Sequence, residues 1–142
     1  MYDIEKIIRI IKDIENFERE LREMNVKSSS DLGKSEKKYA VSMVCFAVLN
    51  RAIDLGQEIL VKEDYSIPSK YGEIFTSLSK AGVMNIEEAK KINELIDLRN
   101  VIAHTYFELT NKQLMKIVDN INLIDKFIEK VKKRIKQNGK NK

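Results

Sequence analysis

The sequence predicts an all-α protein, an up-down bundle of four long helices and one short helix. The 142 residues include one Pro and five Gly, so long segments run without a helix breaker. Apolar residues recur at helical spacing in these segments, and capping sequences mark several helix starts. With 43% hydrophobic and 34% charged residues, the composition is that of a globular protein.

The first two helices are predicted at residues 3–24 and from Ser35 to about Val61. Asp3 caps the first, whose apolar stripe is Ile4, Ile7, Ile11, Ile14, Leu21 and Met24. The centre of the second, from Ala40 to Leu49, is apolar on nearly all sides. A helix of this kind lies in the middle of a bundle or in an oligomer interface.

A loop around Pro68 precedes a short helix predicted at residues 70–81, which Gly82 ends. A capping-box-like sequence at residues 85–88 starts a fourth helix, and a capping box at residues 110–113 starts a last helix. Short connections and the absence of a composition change predict one helical domain over residues 1–142.

The C-terminal end of the chain is basic. Residues 126–142 hold eight basic residues and one acid, Glu129, although the whole chain has a net charge of only +4. The segment from about residue 132 is therefore interpreted as a basic tail. Such a tail either attracts phosphate groups or is a solvated, fraying helix end.

Several classes of protein are not expected. Cys45 is the only cysteine, so an internal disulfide is impossible, and it is interpreted as an inert apolar residue. We expect no metal and no cofactor, because no carboxylate cluster has metal-ligand spacing and no glycine-rich phosphate loop is present. The N-terminus does not resemble a signal peptide, and the apolar run at residues 41–49 is too short to span a bilayer. A cytoplasmic protein without membrane contact is predicted.

Arg99, His104 and Tyr106 form the candidate site. His104 is the only histidine, and a lone histidine on a helix is more often a structural residue. In an unbroken helix it would lie about 140° from Arg99, so the three side chains meet only where the helix ends. The β-branched and aromatic sequence that begins at Thr105 favours such an end here.

The chemistry of these side chains suits metal-independent RNA cleavage. Arginine binds phosphate through two nitrogens and histidine exchanges a proton near neutral pH. In that reaction the ribose 2′-hydroxyl attacks its own phosphate, and one histidine cannot be base and acid at once. The lone histidine therefore predicts a composite site in a two-fold homodimer, for which the apolar segment at residues 41–49 offers a surface.

These residues resemble the R-x-x-x-x-H-x-Y motif of the HepT group of HEPN (higher eukaryotes and prokaryotes nucleotide-binding) domains. Asn100 supplies the polar residue that commonly follows the motif arginine, and the segments at 49–56 and 67–78 are similar to the family's second helix and its Pro-led short helix. The resemblance implies a homodimeric toxin of a toxin–antitoxin pair that cleaves RNA, with Arg99 and His104 catalytic. It also implies an MntA-type nucleotidyltransferase antitoxin that transfers AMP to Tyr106.

Some residues and some functions keep two interpretations. Asn50, Asp54 and Gln57 share a helix face, where they either line the cleft and orient the catalytic residues or form a solvated stripe or buried network. Tyr71 either stacks on bases or packs structurally, as do Tyr39 and Tyr65.

The alternatives to an RNase are a non-catalytic module that binds a nucleotide or substrate, and a structural bundle with a basic tail. The family resemblance favours tRNA as the RNA substrate, and mRNA is the alternative.

Overall fold

The chain is a bundle of α-helices. The computed structural model describes the backbone of residues 1–140 and the side chains of residues 1–138. The helices are α1 (Ile4–Glu23), α2 (Ser35–Lys62), α3 (Gly72–Lys80), α4 (Ile86–His104), α5 (Asn111–Asp119) and α6 (Asn122–Lys140). Short 3-10 turns lie at Ser29–Leu32 and Tyr106–Glu108, and no strand occurs within residues 1–140. The predicted all-α class is confirmed.

The last predicted helix is interrupted. Residues Asn120 and Ile121 separate α5 from α6, where one continuous helix was expected. The Asn120 side chain donates a hydrogen bond to the Lys116 carbonyl at 2.8 Å, and the amides of Asn120, Leu123 and Ile124 bond three residues back rather than four. A short polar side chain that competes for backbone groups produces this local tightening.

The helix ends follow the sequence with one exception. Asp3 accepts from the Lys6 amide, Asn85 accepts from the Glu88 amide, and Thr110 forms the expected capping box. Gly82, with φ of 82°, ends α3 in the left-handed conformation that glycine adopts without strain. Ser35 does not cap α2, because it is already the first helical residue.

Helix α2 is the centre of the bundle. Its buried side chains include Val41, Cys45, Leu49 and Leu55, which are inaccessible to solvent. Of the segment at 41–49, Met43 alone is exposed, so this segment is mainly core and offers little of the dimer surface expected from the sequence. By length and hydropathy α2 could cross a membrane, but 56% of its apolar window is buried in the fold, as in the core helix of a soluble protein.

The C-terminal helix is tied to the body of the bundle. Arg134 donates to both carboxylate oxygens of Glu63 at 2.7 and 3.2 Å and to the Ala81 carbonyl at 3.0 Å. Although burial raises the pKa of Glu63, the hydrogen bonds from Arg134 and Tyr2 bring it below its usual value. The predicted basic tail is thus helical from residue 132 to 140, with Arg134 docked. Residues 141 and 142 of that tail lie outside the described part.

Candidate functional site

A cleft of about 400 Å³ lies between the first turn of α3 and the last turns of α4. It is lined by Ser69, Lys70, Tyr71, Gly72, Glu73, Asp97, Arg99, Asn100 and His104. The Pro-led segment supplies one wall and the motif helix supplies the other. The cleft therefore brings together residues 69–73 and residues 97–104, which are far apart in the sequence.

Arg99 is held in place on several sides. Its Nε donates to Asn50 Oδ1 at 2.7 Å, and Nη1 donates to Asn100 Oδ1 at 3.0 Å. Its Cζ lies 4.9 Å from the ring centroid of Phe46 and 5.0 Å from that of Tyr71, in cation–π contact. Within the described side chains it forms no ion pair with a carboxylate. The guanidinium is fixed by neutral groups, so its charge is not neutralised by an acid.

His104 lies at the end of the motif helix and lines the same cleft. It is the last residue of α4 and is exposed, and Thr105, with φ of −139° and ψ of 48°, takes the chain out of the helix. The Thr105 amide still closes the last turn on the Val101 carbonyl at 2.9 Å. The helix end expected at this motif is confirmed, and it leaves the imidazole open to solvent and to a ligand.

Tyr106 does not join Arg99 in this cleft. It begins the 3-10 turn after α4, and its ring stacks on Tyr39 with centroids 5.0 Å apart and planes at 26°. With Ser35, Lys38, Tyr39 and Phe107 it lines a separate cavity of about 210 Å³. Its hydroxyl is buried and forms no hydrogen bond with the described residues. The structure therefore groups Arg99, Asn100 and His104, but not Tyr106.

The two polar residues of α2 have different places. Asn50 orients Arg99, as one of the two interpretations of this helix face predicted, but it is not among the residues that line the cleft. Asp54 is not in the cleft: it accepts from Arg51 at 3.0 Å, and Arg51 also donates to Asp13 of α1 at 2.5 and 2.9 Å. Asn50 and Asp54 are one helical turn apart, but Asn50 contacts Arg99 of α4, whereas Asp54 is bonded to Arg51, which pairs with α1. The interpretation of Asp54 as a cleft residue is therefore wrong.

The sequence analysis did not identify several residues that line the cleft or contact Arg99. Phe46 lies one helical turn before Asn50, so the shared face of α2 was a usable signal for it. Lys70, Glu73 and Asp97 carried no such signal, because their positions depend on how α3 packs against α4. Tyr71, which is 43% exposed, contacts Arg99 and so contributes to the site instead of packing in a loop.

Two other observations concern reactive groups. Burial raises the pKa of the Cys45 thiol to about 12, so this cysteine is an apolar core residue at neutral pH. Among residues 1–138, no group of three or more His, Cys, Asp or Glu side chains is placed to hold a metal ion.

Comparison with known families identifies the chain. The model of the HepT-like ribonucleases, described as "Ribonuclease HepT-like", matches residues 4–133. The chain belongs to the HepT-like ribonuclease family. Comparison with curated protein sequences finds no match.

Solved structures agree with this fold. A cytosolic protein of unknown function from Bacillus subtilis, YutE, is 17% identical with a TM-score of 0.81, over 97% of this chain and 95% of that one. The tri-AMPylated Shewanella oneidensis HEPN toxin in complex with an MNT antitoxin is 20% identical with a TM-score of 0.82, over 93% of this chain and 98% of that one. A chain of a toxin–antitoxin structure with AMP-PNP is 18% identical with a TM-score of 0.81, over 89% of this chain and 96% of that one. At these identities the likeness shows that the chain shares the fold of these proteins.

Proposed function

We propose that this HepT-like chain is a toxin that cleaves RNA as a metal-independent endoribonuclease in the cytoplasm. The observation that carries the proposal is Arg99, held by Asn50 and Asn100 with no acid partner among the described side chains, in one cleft with the exposed His104. A fixed cation beside a proton-exchanging group is what cleavage of a phosphodiester requires. Membership of a ribonuclease family supports the same reaction.

The reaction transfers the phosphorus from one oxygen to another. The ribose 2′-oxygen attacks the adjacent phosphorus while a base takes its proton, and the bond from phosphorus to the 5′-oxygen breaks as an acid protonates that oxygen. The products are a 2′,3′-cyclic phosphate and a 5′-hydroxyl. Arg99 stabilises the negative charge that grows on the phosphoryl oxygens, and His104 transfers a proton. Tyr71 and Phe46 keep the guanidinium from turning away.

The second proton-transfer group comes from a second copy of the chain. Each protomer has one histidine, whereas the reaction needs a base and an acid on opposite sides of the phosphorus. A two-fold homodimer that faces two clefts across one RNA supplies both imidazoles.

The proposed control of the toxin is nucleotidyl transfer. A solved neighbour is a tri-AMPylated HEPN toxin in complex with an MNT antitoxin, which supports an MntA-type nucleotidyltransferase as the partner of this chain. Tyr106 is the acceptor that the family motif implies. AMP on this tyrosine would add negative charge and bulk close to the end of α4 and hinder RNA binding.

Cleavage of tRNA and mRNA pools by the purified protein, with EDTA present, tests the proposal. Wild-type protein should cut the RNA, Arg99→Ala and His104→Ala should lose activity about 100-fold or more, and Arg9→Ala, an exposed arginine of α1, should keep it. Equal activity in the wild type and both site variants would refute it. Nucleotide binding without RNA loss, and without growth arrest on expression, would favour the non-catalytic module.

A further inference from the structure

Tyr106 carries the hydroxyl that the proposed AMP transfer needs, and the structure buries that hydroxyl. No described residue forms a hydrogen bond with it. Nucleotidyl transfer requires the phenol oxygen within about 3–3.5 Å of the phosphorus and in line with the leaving group. A phosphate cannot reach a buried oxygen in this way, so the observed position is not the one in which Tyr106 reacts.

Two residues of the first turns of α2 hold Tyr106 in this position. Tyr39 stacks on its ring at 5.0 Å. Lys38 Nζ donates to the Leu109 carbonyl at 2.6 Å, three residues after Tyr106. Neither contact involves the hydroxyl. The segment is thus held by its ring and by its backbone, while the acceptor oxygen gains nothing from the closed position.

The segment has little else to keep it closed. Phe107 is 86% exposed, and Glu108 is exposed as well, so between His104 and the buried Leu109 the main buried group is Tyr106 itself. The backbone bonds are local: the Glu108 amide bonds Thr105 at 2.8 Å and the Leu109 amide bonds Tyr106 at 2.9 Å. An outward turn of the segment gives up the contact of the Tyr106 ring with the core, its stacking on Tyr39 and the bond from Lys38, and in return lets the hydroxyl bond to water.

We propose that residues 105–108 form a latch, the Tyr106 latch, which ends at the buried Leu109, which Tyr39 and Lys38 keep closed, and which must open before Tyr106 accepts AMP. The inference rests on the proposed function and concerns the regulation of the same site. In the open state the Tyr106 oxygen attacks the α-phosphorus of ATP and forms a phosphodiester bond. The bond to the β-phosphate breaks, pyrophosphate leaves, and the phenol proton passes to a base of the transferase.

The latch makes modification depend on a conformational equilibrium. The observed modification rate equals the rate of the open state multiplied by the fraction of time that the latch is open. Loss of the Tyr39 ring removes one stacked aromatic pair, which corresponds to a change of about two- to tenfold in that fraction. Tyr39 is 59% exposed, so its replacement should not unfold the protein.

A partner-free experiment tests the latch first. N-acetylimidazole transfers an acetyl group to an accessible tyrosine oxygen, and peptide mass spectrometry reads the rate at Tyr106. This rate should be low in wild type and Tyr39→Phe and about two- to tenfold higher in Tyr39→Ala. Lys38→Met should also raise it, whereas Tyr65→Ala, an exposed tyrosine without a ring contact in the described residues, should not. Equal rates in wild type and Tyr39→Ala would overturn the latch.

The second experiment measures AMP transfer to the full-length proteins. With ATP and a minimal nucleotidyltransferase that modifies the wild type, intact mass should show Tyr39→Ala gaining AMP about two- to tenfold faster. Tyr106→Phe should gain none at this position. An unchanged or slower rate in Tyr39→Ala, with faster acetylation, would show that opening does not limit modification and would overturn the proposal. AMP addition that persists in Tyr106→Phe would instead refute the acceptor in the proposed function, and the acetylation rates would still decide whether the latch exists.

Discussion

Replacement of Asn50 by alanine should lower RNA cleavage without unfolding the protein. Asn50 Oδ1 accepts from Arg99 Nε at 2.7 Å and anchors the side of the guanidinium away from Asn100. A hydrogen bond to a charged group contributes about 1.5–3 kcal/mol, which corresponds to about 10- to 150-fold in rate. The ring contacts of Phe46 and Tyr71 remain in the variant, so we expect a loss near the lower limit, about tenfold.

The decisive measurement is kcat/KM for RNA cleavage, with kcat and KM separated. A residue that positions Arg99 for the transition state should act mainly on kcat. Asn50→Asp should also be impaired, because its carboxylate would hold Arg99 but neutralise the charge needed by the phosphate. Gln57→Ala is the matched control, since Gln57 is on the same helix but lines a different groove with Arg51 and Asp54.

Thermal unfolding separates a functional loss from a folding defect. Asn50 is half-buried, so Asn50→Ala should lower stability by about 1 kcal/mol and leave the protein folded at the assay temperature. Activity of Asn50→Ala within twofold of wild type, while Arg99→Ala is inactive, would refute the conclusion that Asn50 holds the guanidinium for the reaction.

Three further predictions concern stability. Burial and the carboxylate of Asp125 raise the pKa of Glu18 to about 8 from a usual value of 4.5, so the folded protein retains a proton that the unfolded chain releases. Stability should therefore fall as the pH rises from about 4.5 to 8, by at most about 5 kcal/mol for a shift of this size. Urea unfolding should show a much shallower decline in Glu18→Gln, and an unchanged slope would contradict the prediction. Gly56→Ala would place a Cβ 2.8 Å from a side-chain carbon of α3 and should cost about 1–3 kcal/mol, read as a lower melting temperature; an unchanged melting temperature would show that this contact is loose. Arg134→Met leaves the half-buried Glu63 without its ion pair, and unfolding should show a loss of about 2–3 kcal/mol, whereas equal stability would mean that the pair is neutral.

The order of the helices and the grouping of Arg99 with His104 were predictable from the sequence. Periodic apolar residues and caps determine where helices run, and the β-branched Thr105 indicated the helix end that leaves His104 exposed. The break at Asn120 was not predictable from periodicity, because the apolar spacing continues across it. It depends on a side-chain bond to one carbonyl.

The positions of Tyr106 and Asp54 required tertiary structure. Spacing along the chain places Tyr106 near His104, but the stacking partner that turns it away, Tyr39, lies at the start of a distant helix. Asp54 shares a helix face with Asn50, yet the neighbour across that face changes from α4 to α1 within one turn. Periodicity identifies a face of a helix and does not identify the helix that packs against it.

The most direct test of the Arg99–His104 cleft uses one RNA oligonucleotide that the protein cuts and the same sequence with a single 2′-deoxy nucleotide at the cut, both in EDTA. The proposed reaction predicts cleavage of the all-RNA strand to a 2′,3′-cyclic phosphate and a 5′-hydroxyl, and no cleavage of the deoxy strand. Both reactions should be absent in His104→Ala. Cleavage of the 2′-deoxy strand, or a 5′-phosphate product, would contradict attack by the ribose hydroxyl at this site.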